Sequence, residues 1–252
     1  MKKILILCMT RTGSNYIYAT IARHLKHDYT PFKDNLDKFH LLYNNLAPEQ
    51  VQLTIDQFLD QFVTSKLAIA KLHVSGLFTL SDYNLLDKFK SADFYTIVTL
   101  RRDLVQAAIS HARTHVTKEW VKYKTTHAPM ALTQEQLLVG LNSTTYQISE
   151  ILNNKFKLNY NEIVYYEDIT GVPEQDIKKL KIYTPDLFGP EKPAPMYPER
   201  SPNKETTILN YQELVESSLE FFDNWIRDDT QIAERITIND GKIMSINVGG
   251  LQ

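Results

Sequence analysis

The chain holds a single cysteine, Cys8, in 252 residues, so no disulfide can close within it. Cys8 falls in an apolar run and reads as a small buried hydrophobe. No Cys/His cluster has the spacing of a zinc site, and no metal is expected. Glycine is scarce, with eight residues, and none falls into Gly-x-x-x-x-Gly-Lys-Ser/Thr or Gly-x-Gly-x-x-Gly. The phosphate loop of nucleoside triphosphatases and the dinucleotide fingerprint are therefore both missing. The net charge of −2 gives no broad basic field, which argues against nucleic acid as a partner. No apolar run approaches the roughly 18 residues of a membrane-spanning helix. Met1-Lys2-Lys3 and the apolar stretch after it mimic a signal peptide, but Arg11 interrupts the stretch early, so a cytoplasmic protein is expected. No internal repeat is found.

What is present is ordinary in bulk, 43% hydrophobic and 23% charged residues, and alternating in pattern. Short apolar or β-branched runs at Ile4–Met9, Leu67–Leu72, Phe94–Leu100 and Glu162–Tyr166 read as buried strands. Helical periodicity lies between them, over Ser14–Lys26, Pro48–Val63, Asp82–Lys90, Leu104–His115, Thr133–Asn154 and Pro173–Lys181. This alternation predicts an α/β fold with a mainly parallel sheet flanked by helices, in one domain. The stretch 33–63 is the expected helical lid, and 186–252 a C-terminal extension. That extension opens with a proline-rich loop to Pro202, continues as an amphipathic helix near Tyr211–Arg227 and ends in a hairpin around Asn239-Asp240-Gly241.

Ligands of such sheets sit beyond the carboxyl ends of the strands. The first strand runs into Thr10-Arg11-Thr12-Gly13-Ser14-Asn15-Tyr16 and then directly into a helix. A helix start offers free amides and a positive dipole end, glycine admits an anion to the backbone, and arginine neutralises it. The third strand ends in Arg101-Arg102, with Ser110 eight residues after Arg102, just over two helical turns away. Arginine at a helix start is opposed by the dipole, so the pair reads better with an anion bound than as bare surface.

Together these segments resemble the sulfotransferases that use 3′-phosphoadenosine 5′-phosphosulfate (PAPS) and release 3′-phosphoadenosine 5′-phosphate (PAP). Arg11-Thr12-Gly13-Ser14 matches the family's phosphosulfate turn, and Arg102 with Ser110 its 3′-phosphate pair. Leu100-Arg101-Arg102-Asp103-Leu104-Val105-Gln106-Ala107 looks most like the bacterial trehalose-sulfotransferase branch, and Val164-Tyr165-Tyr166-Glu167-Asp168-Ile169 like a strand end common in these enzymes. The resemblance spans roughly residues 3–170. It implies the sulfotransferase architecture, related to P-loop kinases, and sulfuryl transfer to a hydroxyl of a small-molecule or carbohydrate acceptor. The implied cofactor ligands are Arg11, Thr12, Gly13, Ser14, Asn15, Tyr16, Arg101, Arg102 and Ser110.

Lys71-Leu72-His73 resembles the family's Lys-x-His, whose histidine is the base, with Lys71 placed to steady the sulfuryl oxygens. The trehalose branch uses a carboxylate in the stretch where Asp34 stands. His73 therefore ranks first as base, Asp34 second and His40 third. The family's C-terminal Arg-Lys-Gly element is missing, and Lys204 is the nearest substitute. Trp120–Met130, rich in Lys, Tyr and His, is a second expected lid, suited to a sugar or to a peptide. Two alternatives stay open: an ATP-dependent small-molecule or nucleotide kinase of related fold, and a nucleotide-binding relative without turnover.

Overall fold

The computed structural model describes residues 2–33, 48–118, 129–192 and 207–248. Five parallel strands form its centre, in the order β2-β3-β1-β4-β5. β1 (Lys2–Cys8) lies between β3 (Leu67–His73) and β4 (Phe94–Leu100), while β2 (Thr30–Lys33) and β5 (Glu162–Tyr165) are the edges. The expected α/β class and parallel sheet are what the structure has.

Alternation along the strands sorts the core into two layers. Ile4, Ile6, Ile69 and Ile97 face α1 (Ser14–His24). Leu5, Leu7, Ala70, Leu72, Val98 and Leu100 face the larger layer. That layer holds α2 (Pro48–Thr64), α3 (Val74–Asp82), α4 (Leu86–Lys90), α5 (Leu104–Thr117) and α6 (Gln134–Asn153). β1 is covered on both faces, which is why its Ile4–Cys8 stretch reads as one unbroken apolar run.

Three differences from expectation have physical causes. β2 is four residues long and contains Pro31, so it gives no strand signal; as an edge it tolerates the missing amide. α3 follows β3 with no loop, and the expected helix 82–90 shortens to α4 after a turn in which Asn84 takes φ 57°. The lid expected over 33–63 is a core helix in its second half, where Val51, Ile55, Leu59 and Phe62 of α2 are buried; residues 34–47 lie outside the described residues.

α6 opens with a capping box between Thr133 and Gln136 and packs closely along α5. Gly140 permits the approach: a Cβ there would stand 2.1 Å from the Ala108 carbonyl oxygen. Gly140→Ala is therefore expected to cost about 3 kcal/mol through forced separation of the two helices. Urea denaturation reads this directly, and an unchanged midpoint would contradict the close packing.

α7 (Pro173–Lys179) packs beside α1. The C-terminal third is α8 (Tyr211–Asp228), the short α9 (Thr230–Ala233) and a hairpin, β6 (Ile236–Asn239) with β7 (Lys242–Ile246). Asp240 and Gly241 both take positive φ, the two-residue turn expected from Asn-Asp-Gly. The hairpin docks on the start of α5: Leu104 N–H donates to Gly241 O (2.9 Å) and Ile243 N–H to Arg102 O (2.8 Å). Among the described residues no helix is long and apolar enough to cross a membrane.

Candidate functional site

The chemistry-bearing residues collect at the carboxyl edge of the sheet, where β1, β3, β4 and β5 end side by side. The turn after β1 is drawn inward by Thr12. Its buried hydroxyl donates to Met9 O (2.9 Å) and accepts from Thr99 Oγ1 of β4 (2.8 Å). Arg11 (φ 65°) and Gly13 (φ 70°) take the left-handed conformation on either side of it. At Gly13 a Cβ would meet the Tyr166 ring at 2.9 Å, so glycine is required by space as well as by φ.

α1 begins without a side-chain cap: Gly13 O accepts from Tyr16 N–H (2.9 Å) and Ile17 N–H (3.1 Å). The Ser14 and Asn15 amides lie ahead of this ladder, at the positive end of the helix. Asn15 Oδ1 is buried beside them with no hydrogen-bond partner. The Tyr16 hydroxyl instead donates to Asp176 of α7 (2.8 Å). Burial pushes the Asp176 carboxyl up, but hydrogen bonds from Thr170, Tyr16 and Gly171 outweigh this and hold it below its usual range.

Guanidinium groups concentrate around this turn. Arg11 Nε donates to Ser110 Oγ (3.0 Å) on α5. Burial, then the charge of Arg101, pulls the Arg11 pKa down; Tyr166 opposes this, and Arg113 adds to it. Arg101 lies over the Tyr166 ring (4.8 Å) and 3.6 Å from Glu167, with its Nε buried and without a hydrogen bond. Arg102 turns the other way, over the Tyr165 ring (4.1 Å) and onto Asp168 (2.5 Å), a bond that raises its basicity. Consecutive residues leaving a strand point to opposite faces, so only one of this pair can join Arg11. The structure thus brings Ser110 to Arg11 and sets Arg102 apart at the rim. The amides of Arg102 (2.9 Å) and Asp103 (3.2 Å) are taken by the Glu167 carboxylate at the start of α5.

His73 ends β3 directly opposite Cys8. The Cys8 thiol donates to Leu72 O (3.2 Å) and lies 3.4 Å from His73 Nδ1. With its single proton on Leu72 O, the sulfur can accept from Nδ1–H, and a neutral ring so bonded carries its lone pair on Nε2. Burial pushes the Cys8 thiol up, but the charges of His73 and Lys71, with hydrogen bonds from His73 and Ser14, bring it below its ordinary value. Lys71, buried on the same strand face as His73, lies one alternation before it.

Three residues at the site carried no sequence signal: His111 and Arg113 on α5, and Gln147 on α6. Gln147 binds Thr10 twice, its Oε1 accepting from the amide (2.7 Å) and its Nε2 donating to the hydroxyl (3.1 Å). The Thr10 proton is therefore directed to His111 Nδ1 (2.8 Å). Burial, followed by the charges of His115, Arg11 and His73, lowers the His111 pKa to about 4. His111 is thus a neutral imidazole at physiological pH. Asp34, His40, Lys204 and residues 120–128 of the second expected lid lie outside the described residues.

No family model matches the chain, and no curated protein is similar to it. Among solved structures, the sulfotransferase domain from the Synechococcus PCC 7002 olefin synthase is similar at 13% identity and a TM-score of 0.36, covering 69% of this chain and 70% of that one.

Proposed function

We propose that the protein is a PAPS-dependent sulfotransferase acting on a hydroxyl of a small-molecule or carbohydrate acceptor. One observation carries the reading: Arg11 is held in a left-handed turn ahead of an uncapped helix start, bonded to Ser110 and within the field of Arg101. Such a turn suits a dense anion without a Walker lysine. The residues fit the nucleotide on one further count: Arg101 Nε, 3.6 Å from Glu167, is a buried donor without a hydrogen bond.

In this reading Arg11 and the amides from Thr12 to Asn15 hold the 5′-phosphosulfate, the Tyr16 amide being taken by Gly13 O. Arg101 from within, Arg102 exchanging Asp168 for phosphate at the rim, and Ser110 take the 3′-phosphate. When bound, PAPS supplies an activated sulfuryl group. Lys71 lends positive charge near the end of β3, and Arg11 steadies negative charge on the leaving side. His73 Nε2 takes the proton from the acceptor hydroxyl, with Asp34 the alternative base.

Calorimetric titration with PAP, ATP·Mg²⁺ and AMP tests the reading. The expected result is that PAP binds at least about tenfold more tightly than AMP, through charge-assisted bonds to its second phosphate. Binding of ATP·Mg²⁺ in preference to PAP would make the protein a kinase instead.

A further inference from the structure

A non-glycine residue in the left-handed region is disfavoured, and it stays there only where the surrounding structure holds it. Arg11 is such a residue, at φ 65°. On its C-terminal side the chain is fixed by Thr12, bonded to Met9 O and Thr99 Oγ1. On its N-terminal side the hold comes from a distant part of the fold. The Thr10 amide donates to Gln147 Oε1 (2.7 Å), 137 residues away on α6. Gln147 is 7% exposed, and its helix is wedged against α5 at Gly140. Its own orientation is also set. Nε2 donates toward Ser143 O (3.0 Å), Ser143 Oγ (2.8 Å) and Thr10 Oγ1 (3.1 Å). The Ser143 carbonyl only accepts and the Thr10 amide only donates, so the two ends of the carboxamide cannot be exchanged.

A carboxylate of the same shape would turn an oxygen toward the Ser143 carbonyl, and a hydrocarbon would leave the Thr10 amide without its acceptor. A carboxamide of this length satisfies both. We propose that Gln147 is a positioning residue of the anion turn: by fixing the Thr10 amide it keeps Arg11 left-handed, with Nε on Ser110, where the anion enters. It acts through Arg11 and meets neither nucleotide nor acceptor. The inference rests on the reading of the first turn as the anion site, and it holds for whichever nucleotide that turn takes.

Calorimetry on the full chain with PAP and with ATP·Mg²⁺, run beside thermal melts without ligand, tests it. Gln147→Met keeps the length of the side chain and is compared with Leu137→Ala, a core lesion near the start of the same helix. Gln147→Met is expected to lower PAP affinity about tenfold or more. Leu137→Ala should lower the melting point at least as far, with PAP affinity within about threefold of the wild type. An equal loss of affinity in both variants would overturn the proposal, because any loosening of α6 would then suffice. So would wild-type affinity in Gln147→Met. If Gln147→Met does not fold, Gln147→Asn decides, since it keeps the amide but shortens its reach by one methylene: a tenfold loss supports the role, and wild-type affinity overturns it. A wild type that takes ATP·Mg²⁺ in place of PAP, and loses it in Gln147→Met but not in Leu137→Ala, would defeat the sulfotransferase reading and leave the positioning role standing. A wild type that binds neither nucleotide defeats both.

Discussion

Arg11→Ala is expected to abolish measurable nucleotide binding, with a loss of at least about a hundredfold in PAP affinity and about a thousandfold or more in kcat/KM. The estimate follows from what Arg11 does. Charge-assisted hydrogen bonds to an anion contribute about 1.5–3 kcal/mol each, and a fork makes two. In the proposed reaction the same group faces charge that grows as the sulfuryl bond breaks, which adds a transition-state share. The fold should not suffer in parallel. Arg11 sits at φ 65°, its basicity is lowered by burial and by Arg101, and its Nε donates to Ser110. The turn is drawn inward by Thr12, on Met9 O and Thr99 Oγ1, so thermal melting should move far less than activity. Calorimetry and melting curves on one preparation separate the two effects. Retained affinity would remove the first turn from the site.

His73→Ala should behave in the opposite way, losing kcat by about a hundredfold to ten-thousandfold with PAP affinity held within about twofold. In the proposed mechanism the group removed takes a proton but holds no phosphate. Its Nδ1 lies 3.4 Å from Cys8 Sγ across the β1–β3 pair, and a neutral ring that donates there carries its lone pair on Nε2. His111 is a poor substitute. Its Nδ1 already accepts the Thr10 proton, and a base with a pKa of about 4 has little driving force to take one from a hydroxyl. A working His73 must be neutral, so turnover rises with pH through its titration, and that limb of the pH–rate profile should vanish in the variant. Wild-type turnover in His73→Ala would pass the role to Asp34, with Asp34→Asn as the matching experiment.

The sheet was legible because its central strands are buried on both faces and carry near-continuous apolar runs, as Ile4–Leu7 does and as Ile97–Leu100 does but for Thr99. The edge strand β2 was not, because four residues that include a proline carry no periodicity. The first turn could be proposed as an anion site because its residues are neighbours in sequence. The residues that gather round it in space could not be foreseen. Gln147 meets Thr10 across 137 residues, and His111 meets it across 101. No spacing rule links positions on different helices. The opposed directions of Arg101 and Arg102 were within reach, since the two-residue alternation that assigns Ile97 and Thr99 to one face continues to Arg101. Eight-residue spacing pointed instead to Arg102 as the partner of Ser110, whereas Ser110 lies against Arg11.

The double grip of Gln147 on Thr10 has a consequence for motion. A loop amide that faces water usually exchanges its hydrogen at each small fluctuation of the loop. The Thr10 amide is bound to a helix that is itself wedged against α5 at Gly140. Freeing it requires moving α6, so the turn opens with the largest helical layer rather than ahead of it. Hydrogen exchange at the Thr10 amide is therefore expected to keep pace with the amides of α6 rather than with those of exposed loops.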